Sequence, residues 1–441
     1  MVINEHTQGK ISQADRLGVI KLAMIWAGFP FILAITITGS LFAISSTPFI
    51  AASAIFLGSV IMFFYVGILG DIGWREGRSF AQIAEVIFGR IGYKAITVLL
   101  STLVLGWFTI NTAMPSEILA SSFHISYWIV ALFLGAIFVV VTAFGIQGMN
   151  IISNLSVPLF AILIIVAFLV LHAHHGIHIS PAIPTGTRTL TFSEVLAGVL
   201  ASFADSGTLA PDFNRWAKNR KTSWISVFAA FPLGFGIAML AGVVFTVMLA
   251  KRGVVFNKPF QESNPVGYLI MGGGTGLVFA VLVAAINQGS NATHCLYNSG
   301  IGFSKLVRAR YVLTTLIIGT IGITIAVTGV WALLIDWLKV IGILVPPIGS
   351  VIIVSYYTGV YRLRDRADVS QGKSDAWSFY PWIALLFGWT IGLGVNFTSL
   401  ALIIPVPVAS FAASLLVMFI TSLHRQKKLH NVISHVSSKE H

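Results

Sequence analysis

Apolar stretches of about 20 residues, each nearly free of charge, follow one another along this chain. Nothing else in the sequence limits its fold so severely. Wound as an α-helix, such a stretch spans a hydrocarbon core of ~30 Å. Twelve are expected, at roughly 20–44, 48–70, 92–121, 126–145, 149–172, 193–214, 223–250, 268–300, 310–330, 337–357, 377–396 and 400–422. Composition agrees: 56% of the 441 residues are hydrophobic and 10% charged, against about 25% charged in a soluble domain. Interiors grow too slowly with chain length to hide that much apolar surface from water. The sequence predicts an all-α polytopic membrane protein.

The net charge of +12 is distributed by loop. Lys10, Arg16 and Lys21 precede or open the first stretch; Arg75, Arg78, Arg90 and Lys94 follow the second. Further groups around 215–221, 305–310 and 362–373, and in the carboxyl tail, fall on the same side. Of 27 Lys and Arg, the exceptions are Arg188, Lys251, Arg252 and Lys258 on the opposite side, and Lys339 inside a stretch. This bias predicts a cytoplasmic (cell) membrane protein with both termini cytoplasmic. It does not suit nucleic acid, which needs a basic face on a folded domain. The first stretch reads as a retained span, because no small-residue cleavage site follows a short apolar core. The single cysteine, Cys295, excludes an internal disulfide. With only short tails and loops outside, the chemistry is expected within the membrane.

Several motifs read plainly. His172, His174, His175 and His178 lack a nearby cysteine or carboxylate and suit a solvated loop better than zinc. Gly272–Gly276 lacks the lysine of a phosphate loop and reads as helix packing. Glu117, Asp336 and Lys339 lie near span ends, where charge is tolerated. No base–nucleophile pair or metal constellation lies at membrane depth, so an enzyme is not expected and no cofactor is implied.

Two stretches resist so plain a reading. Asp205 lies near the middle of the sixth, where an acid costs about 2.5–3.5 kcal/mol. Gly207 and Pro211 follow and weaken the helix. In the first, Gly28 and Pro30 interrupt Trp26-Ala27-Gly28-Phe29-Pro30-Phe31. Broken backbone at this depth is tolerated only against protein or a cavity. The interrupted spans stand five apart with opposite predicted directions, as an inverted repeat of five plus five helices produces. The boundaries are then a tail 1–19, a first repeat 20–172, an external loop 173–192, a second repeat 193–357, two further helices at 377–422 and a tail 423–441. Asn287, Ser290 and Asn291 share one helix face; their oxygens suit either a small cation or helix–helix hydrogen bonds. Trp107 and Asn111, four apart, suit a planar ligand or packing. Asp205 itself suits a ligand, or a neighbour at a kink.

Taken in order, Leu105-Gly106-Trp107-Phe108, Ser206-Gly207-Thr208-Leu209 with Asp212-Phe213, Leu296-Tyr297 with Ser299–Phe303, and Pro346-Pro347-Ile348-Gly349 give the chain a family likeness. From about 16 to 422 it resembles the nucleobase:cation symporter-1 family, most closely its cytosine permease branch. The resemblance implies twelve helices in the LeuT-type fold, a five-plus-five inverted repeat with two carboxyl-terminal helices. It implies import of a nucleobase or related heterocycle coupled to sodium or protons. Trp107 would stack on the base, Asn111 and Asn287 would bond to it, and Phe203 beside the Ser202 backbone would supply the second face. Carbonyls of Gly28 and Phe31 with side chains of Asn287, Ser290 and Asn291 would bind the cation. The chain departs from the cytosine permease pattern in three places. Ile32 stands for an aromatic residue, Asn291 for a hydroxyl and Asp205 for a small polar residue. We expect Asp205 to accept bonds from an edge with two N–H donors, as in guanine or a cationic aminopyrimidine, or to carry the coupled proton. Other LeuT-type carriers of small nitrogenous solutes, including amines, share the broken helices, and a non-transporting receptor would share the ligand. Transport would proceed by alternating access: spans 1, 2, 6 and 7 move against 3, 4, 8 and 9, and the Pro346-Pro347 kink serves as a gate.

Overall fold

The computed structural model describes residues 9–175, 190–250, 274–329, 334–371 and 375–437. Within them the chain is helical, with one isolated bridge between Leu17 and Ala217. In order come α1 (Val19–Ala27), α2 (Leu33–Ser45), α3 (Pro48–Glu76), α4 (Phe80–Phe123), α5 (Tyr127–Ala143) and α6 (Gly145–His175). Next are α7 (Phe192–Ala201), α8 (Ala204–Thr208), α9 (Ala210–Asn214), α10 (Arg220–Phe228), a π-helical turn (Ala229–Phe235) and α11 (Gly236–Ala250). Last are α12 (Gly274–Val307), α13 (Tyr311–Ala326), α14 (Leu334–Tyr357), α15 (Val360–Gln371), α16 (Phe379–Asn396) and α17 (Val406–Ser437). Each expected stretch coincides, among the described residues, with a helix or a broken series of helices. Among the described residues seven helices are individually long and apolar enough to cross a membrane, and α12 and α13 meet at a 118° bend.

Three boundaries differ from expectation. α4 begins at Phe80 rather than near residue 92. Gln82 Oε1 accepts from the Ser79 N–H (2.7 Å), and Ser79 Oγ accepts in return from the Gln82 N–H (3.4 Å). This capping box starts the helix early, and Gly89, at φ +85°, kinks it before the apolar run. α17 continues to Ser437, so the expected tail begins as helix. α6 runs to His175, which places His172, His174 and His175 on a helix rather than a loop. His178, Arg188, Lys251, Arg252, Lys258 and Gly272–Gly273 lie outside the described residues. α14 stays helical through Pro346 and Pro347.

Spans one and six are broken, as Gly and Pro predicted. Between α1 and α2, Gly28 lies where a Cβ would come within 2.4 Å of Ser153 Oγ and 2.9 Å of Ser290 Oγ. Only glycine lets this break press against both α6 and α12. Span six breaks twice: Phe203 leaves the helix at φ −142°, ψ 10°, and Leu209 sits between α8 and α9. Pro211 then occupies the first turn of α9, where its missing N–H costs little.

Aromatic rings fill the space between the breaks. Phe29 meets Phe203 edge-on at 4.9 Å, and Phe203 meets Phe231 and Phe235 at 5.6 and 5.8 Å. At the face carrying the basic loops, charged groups tie elements together. Buried Asp71 joins Arg75 (2.7 Å) and Arg220 (3.0 Å), while Arg78 reaches Asp365 (2.9 Å) and the Tyr361 hydroxyl (2.8 Å). Tyr356 and Tyr361 donate to Glu76 at 2.9 and 3.3 Å, linking α3 to α14 and α15.

Candidate functional site

Breaking span one leaves backbone groups without intrahelical partners, and α12 supplies them. Asn287 Oδ1 accepts from the Leu33 N–H (2.7 Å), while its Nδ2 donates to the Phe31 carbonyl and to Ser156 Oγ, both at 3.0 Å. Ser290 Oγ donates to the Gly28 carbonyl at 2.8 Å. Gln288 Oε1 accepts from the Ala34 N–H (3.3 Å), and the His294 ring lies against the Ile25 carbonyl (2.8 Å). All four side chains are fully buried. The structure thus brings Gly28, Phe31, Asn287 and Ser290 together as expected. Asn291 goes elsewhere. Its Nδ2 donates to Asn111 Oδ1 (3.3 Å) and its Oδ1 accepts from Cys295 Sγ (3.2 Å).

A small cavity of about 10 Å³, room for roughly one water, lies between the two breaks. Its walls include Ile32, Trp107, Ser202, Phe203, Asn291 and Cys295. With room for only about one water, the cavity admits a planar ring between Trp107 and Phe203 only if the walls part. Asn111 stands behind this wall, its Nδ2 bonded to the Trp107 carbonyl at 2.7 Å. Asn287 is also off the wall, with both amide atoms spent on span one.

Asp205 is fully buried in α8, just behind Phe203 and Ser206 of the wall. Oδ1 accepts from the Ser206 N–H at 2.7 Å. Oδ2 has no hydrogen-bond partner, and neither has Trp107 Nε1. The indole N–H and the carboxyl group lie near each other without reaching hydrogen-bond geometry. A buried acceptor and a buried donor are therefore both available beside the cavity. Asp212 is engaged elsewhere, since its Oδ1 accepts from the Phe80 N–H (2.8 Å) and caps α4.

Sequence reasoning passed over Ser156, Gln288 and His294. Gln288 and His294 stood in the same polar run as Asn287, which was the available signal; Ser156 carried none. Of the residues set aside, Lys339 is exposed and Glu117 half-buried. Among the described residues no group of three metal-ligating side chains is present.

Comparisons with known proteins fit this geometry. A family model described as permease for cytosine/purines, uracil, thiamine and allantoin matches residues 10–417. Cytosine permease of Escherichia coli K12 is 25% identical over 393 residues, covering 89% of this chain and 88% of that protein. The structure of Mhp1, a nucleobase-cation-symport-1 transporter in a closed conformation with bromovinylhydantoin bound, superposes with a TM-score of 0.75. Identity is 18%, over 95% of this chain and 94% of that one. A sodium-coupled sialic acid symporter, bound to substrate and open outward, gives a TM-score of 0.61 at 11% identity, over 96% and 92% of the two chains. The fold is thus the LeuT type. The chain belongs to the family of permeases for cytosine/purines, uracil, thiamine and allantoin, and is a polytopic membrane transporter rather than an enzyme.

Proposed function

We propose that this transporter imports a nucleobase or related heterocycle through the cytoplasmic membrane, coupled to a cation, by alternating access. The observation carrying this reading is the cavity between the two breaks, walled by Trp107 and Phe203, with Asp205 Oδ2 and Trp107 Nε1 unpaired beside it. Two aromatic faces suit a flat ring, and the free carboxyl oxygen of Asp205 behind them suits its edge. The basic loops face the cytoplasm and the base enters from outside. Asn111 and Asn291 bond to each other here and turn to the base when the walls part. Asn287 and Ser290 hold the first break, so that cation and base act on one junction of α1, α2 and α12. The unpaired carboxylate oxygen favours an edge rich in N–H donors, as guanine or an aminopyrimidine presents, over one of carbonyls alone.

Cells lacking their own permeases test this. Expressing the chain should give accumulation of labelled cytosine or guanine that unlabelled base competes away. Binding without accumulation would mark a receptor. Uptake of amines or amino acids in place of every base would overturn the substrate assignment.

A further inference from the structure

We propose that Gln288 reads the substrate: its amide N–H donates to an exocyclic carbonyl of the base and selects oxo-bases over their amino analogues. This deepens the transport reading above and rests on it. On α12, Gln288 stands three residues before Asn291 and seven before Cys295, so all three share one helix face. Asn291 and Cys295 line the cavity between the breaks. Gln288 meets the same face about 4.5 Å of helix rise earlier than Asn291. Fully buried, it bonds to two further residues of the cavity wall, Ala34 on α2 and Met114 on α4.

The two ends of this amide are unequally engaged. Oε1 accepts at 3.3 Å from the Ala34 N–H, which lies in the first turn of α2 and has no partner within its own helix. A backbone N–H only donates, so this contact fixes the amide's orientation and turns Nε2 toward Met114. There Nε2 donates to the thioether Sδ at 3.1 Å. Thioether sulfur is a weak acceptor, and the amino end of the amide has two hydrogens to place. The other amide donors near the wall meet oxygen: Asn291 donates to Asn111, and Asn111 to the Trp107 carbonyl. Capping α2 accounts for the oxygen of Gln288 and leaves its donor for a ligand.

Met114 is the part of this wall that yields most readily, because its side chain is unbranched and flexible. When the walls part for a ring, the thioether moves off and Nε2 is left to the base. A base carbonyl is a stronger acceptor than the sulfur it replaces, so the exchange favours bases that carry one. The site then offers an unpaired acceptor, Asp205 Oδ2, and a weakly engaged donor, Gln288 Nε2. Cytosine and guanine carry both complements, N–H donors and a carbonyl. Their diamino analogues keep the ring and the N–H donors but have an amino group in place of the carbonyl. Against that group Nε2 meets another donor, and both stay unpaired.

The test is competition against uptake of labelled cytosine or guanine, in cells lacking their own permeases, by each unlabelled base and by its diamino analogue. With the wild-type chain the oxo-base should compete at least about fivefold better than the analogue. Gln288→Glu keeps an oxygen for the Ala34 N–H and loses the amide donor, so this preference should be lost or reversed. Gln288→Met keeps the bulk and removes both groups; there the ratio should fall to unity, which decides the matter should Gln288→Glu fail to fold. A purely structural role would lower uptake while leaving the ratio as in wild type. An unchanged ratio in both variants, or no preference in the wild type, overturns the proposal and leaves the transport reading standing. If neither base accumulates, the transport reading for them fails, and the ratio is read from the rise in unfolding temperature each ligand gives the purified protein. A rise equal for oxo-base and analogue, or absent for all, then overturns the proposal as well.

Discussion

Asp205 and Trp107 carry the substrate account at the level of single residues. Each offers a buried polar atom without a partner beside the cavity. Replacing Asp205 by Asn removes acceptor capacity and adds a donor. Bases with two adjacent N–H groups should then lose about 1–3 kcal/mol, or roughly 5- to 150-fold, relative to carbonyl-rich bases. Competition of unlabelled bases against labelled uptake reads this directly, and unchanged rank order would remove Asp205 from the site. Trp107→Ala should weaken apparent affinity by about 1–3 kcal/mol through lost stacking; an unchanged KM contradicts that role. At this scale the sequence was only partly legible. Helical spacing put Asn287, Ser290 and Asn291 on one face, but such a face is broad enough to meet two neighbours. Asn287 and Ser290 meet span one, while Asn291 meets α4. Spacing on one helix carries no record of which helix lies opposite.

Among elements, the broken first span is the part that depends most on others. Its freed Leu33 N–H and Phe31 carbonyl are both held by one amide, that of Asn287. Asn287→Ala would leave both buried and unpaired, at about 1–3 kcal/mol each. A lowered unfolding temperature of the purified protein should follow, and an unchanged one would mean that the break holds itself. The first-span break was legible because Gly28 and Pro30 weaken a helix wherever they stand, and the interruption at Leu209 because Gly207 and Pro211 flank it. The earlier interruption of span six, at Phe203, was not, since no helix-breaking residue stands beside it. Nor was the early start of α4, where the Ser79–Gln82 box and a cap from distant Asp212 begin the helix ahead of a stretch interrupted by Glu85, Gly89 and Arg90.

Over the whole molecule, the basic face is closed by the links from α3 to α14 and α15 through Glu76, Arg78, Tyr356, Tyr361 and Asp365. The LeuT-type plan was legible from two broken spans five apart; this latch was not, because its partners are nearly 300 residues apart in sequence. Opening toward that face must separate them, so Arg78→Ala should favour the open state. The one cysteine of the chain reports on this, for Cys295 is buried on the cavity wall. Its maleimide labelling should be slow in wild-type protein and several-fold faster in Arg78→Ala; equal rates would mean that the latch does not hold the closed state.

The same thiol tests the central claim most directly, that the cavity between the two breaks is where the base binds. Labelling of Cys295 in Arg78→Ala should be slowed by each base the protein transports, in proportion to occupancy, and not by bases it does not carry. Labelling that proceeds at one rate with and without a transported base would place the binding site elsewhere and contradict the account.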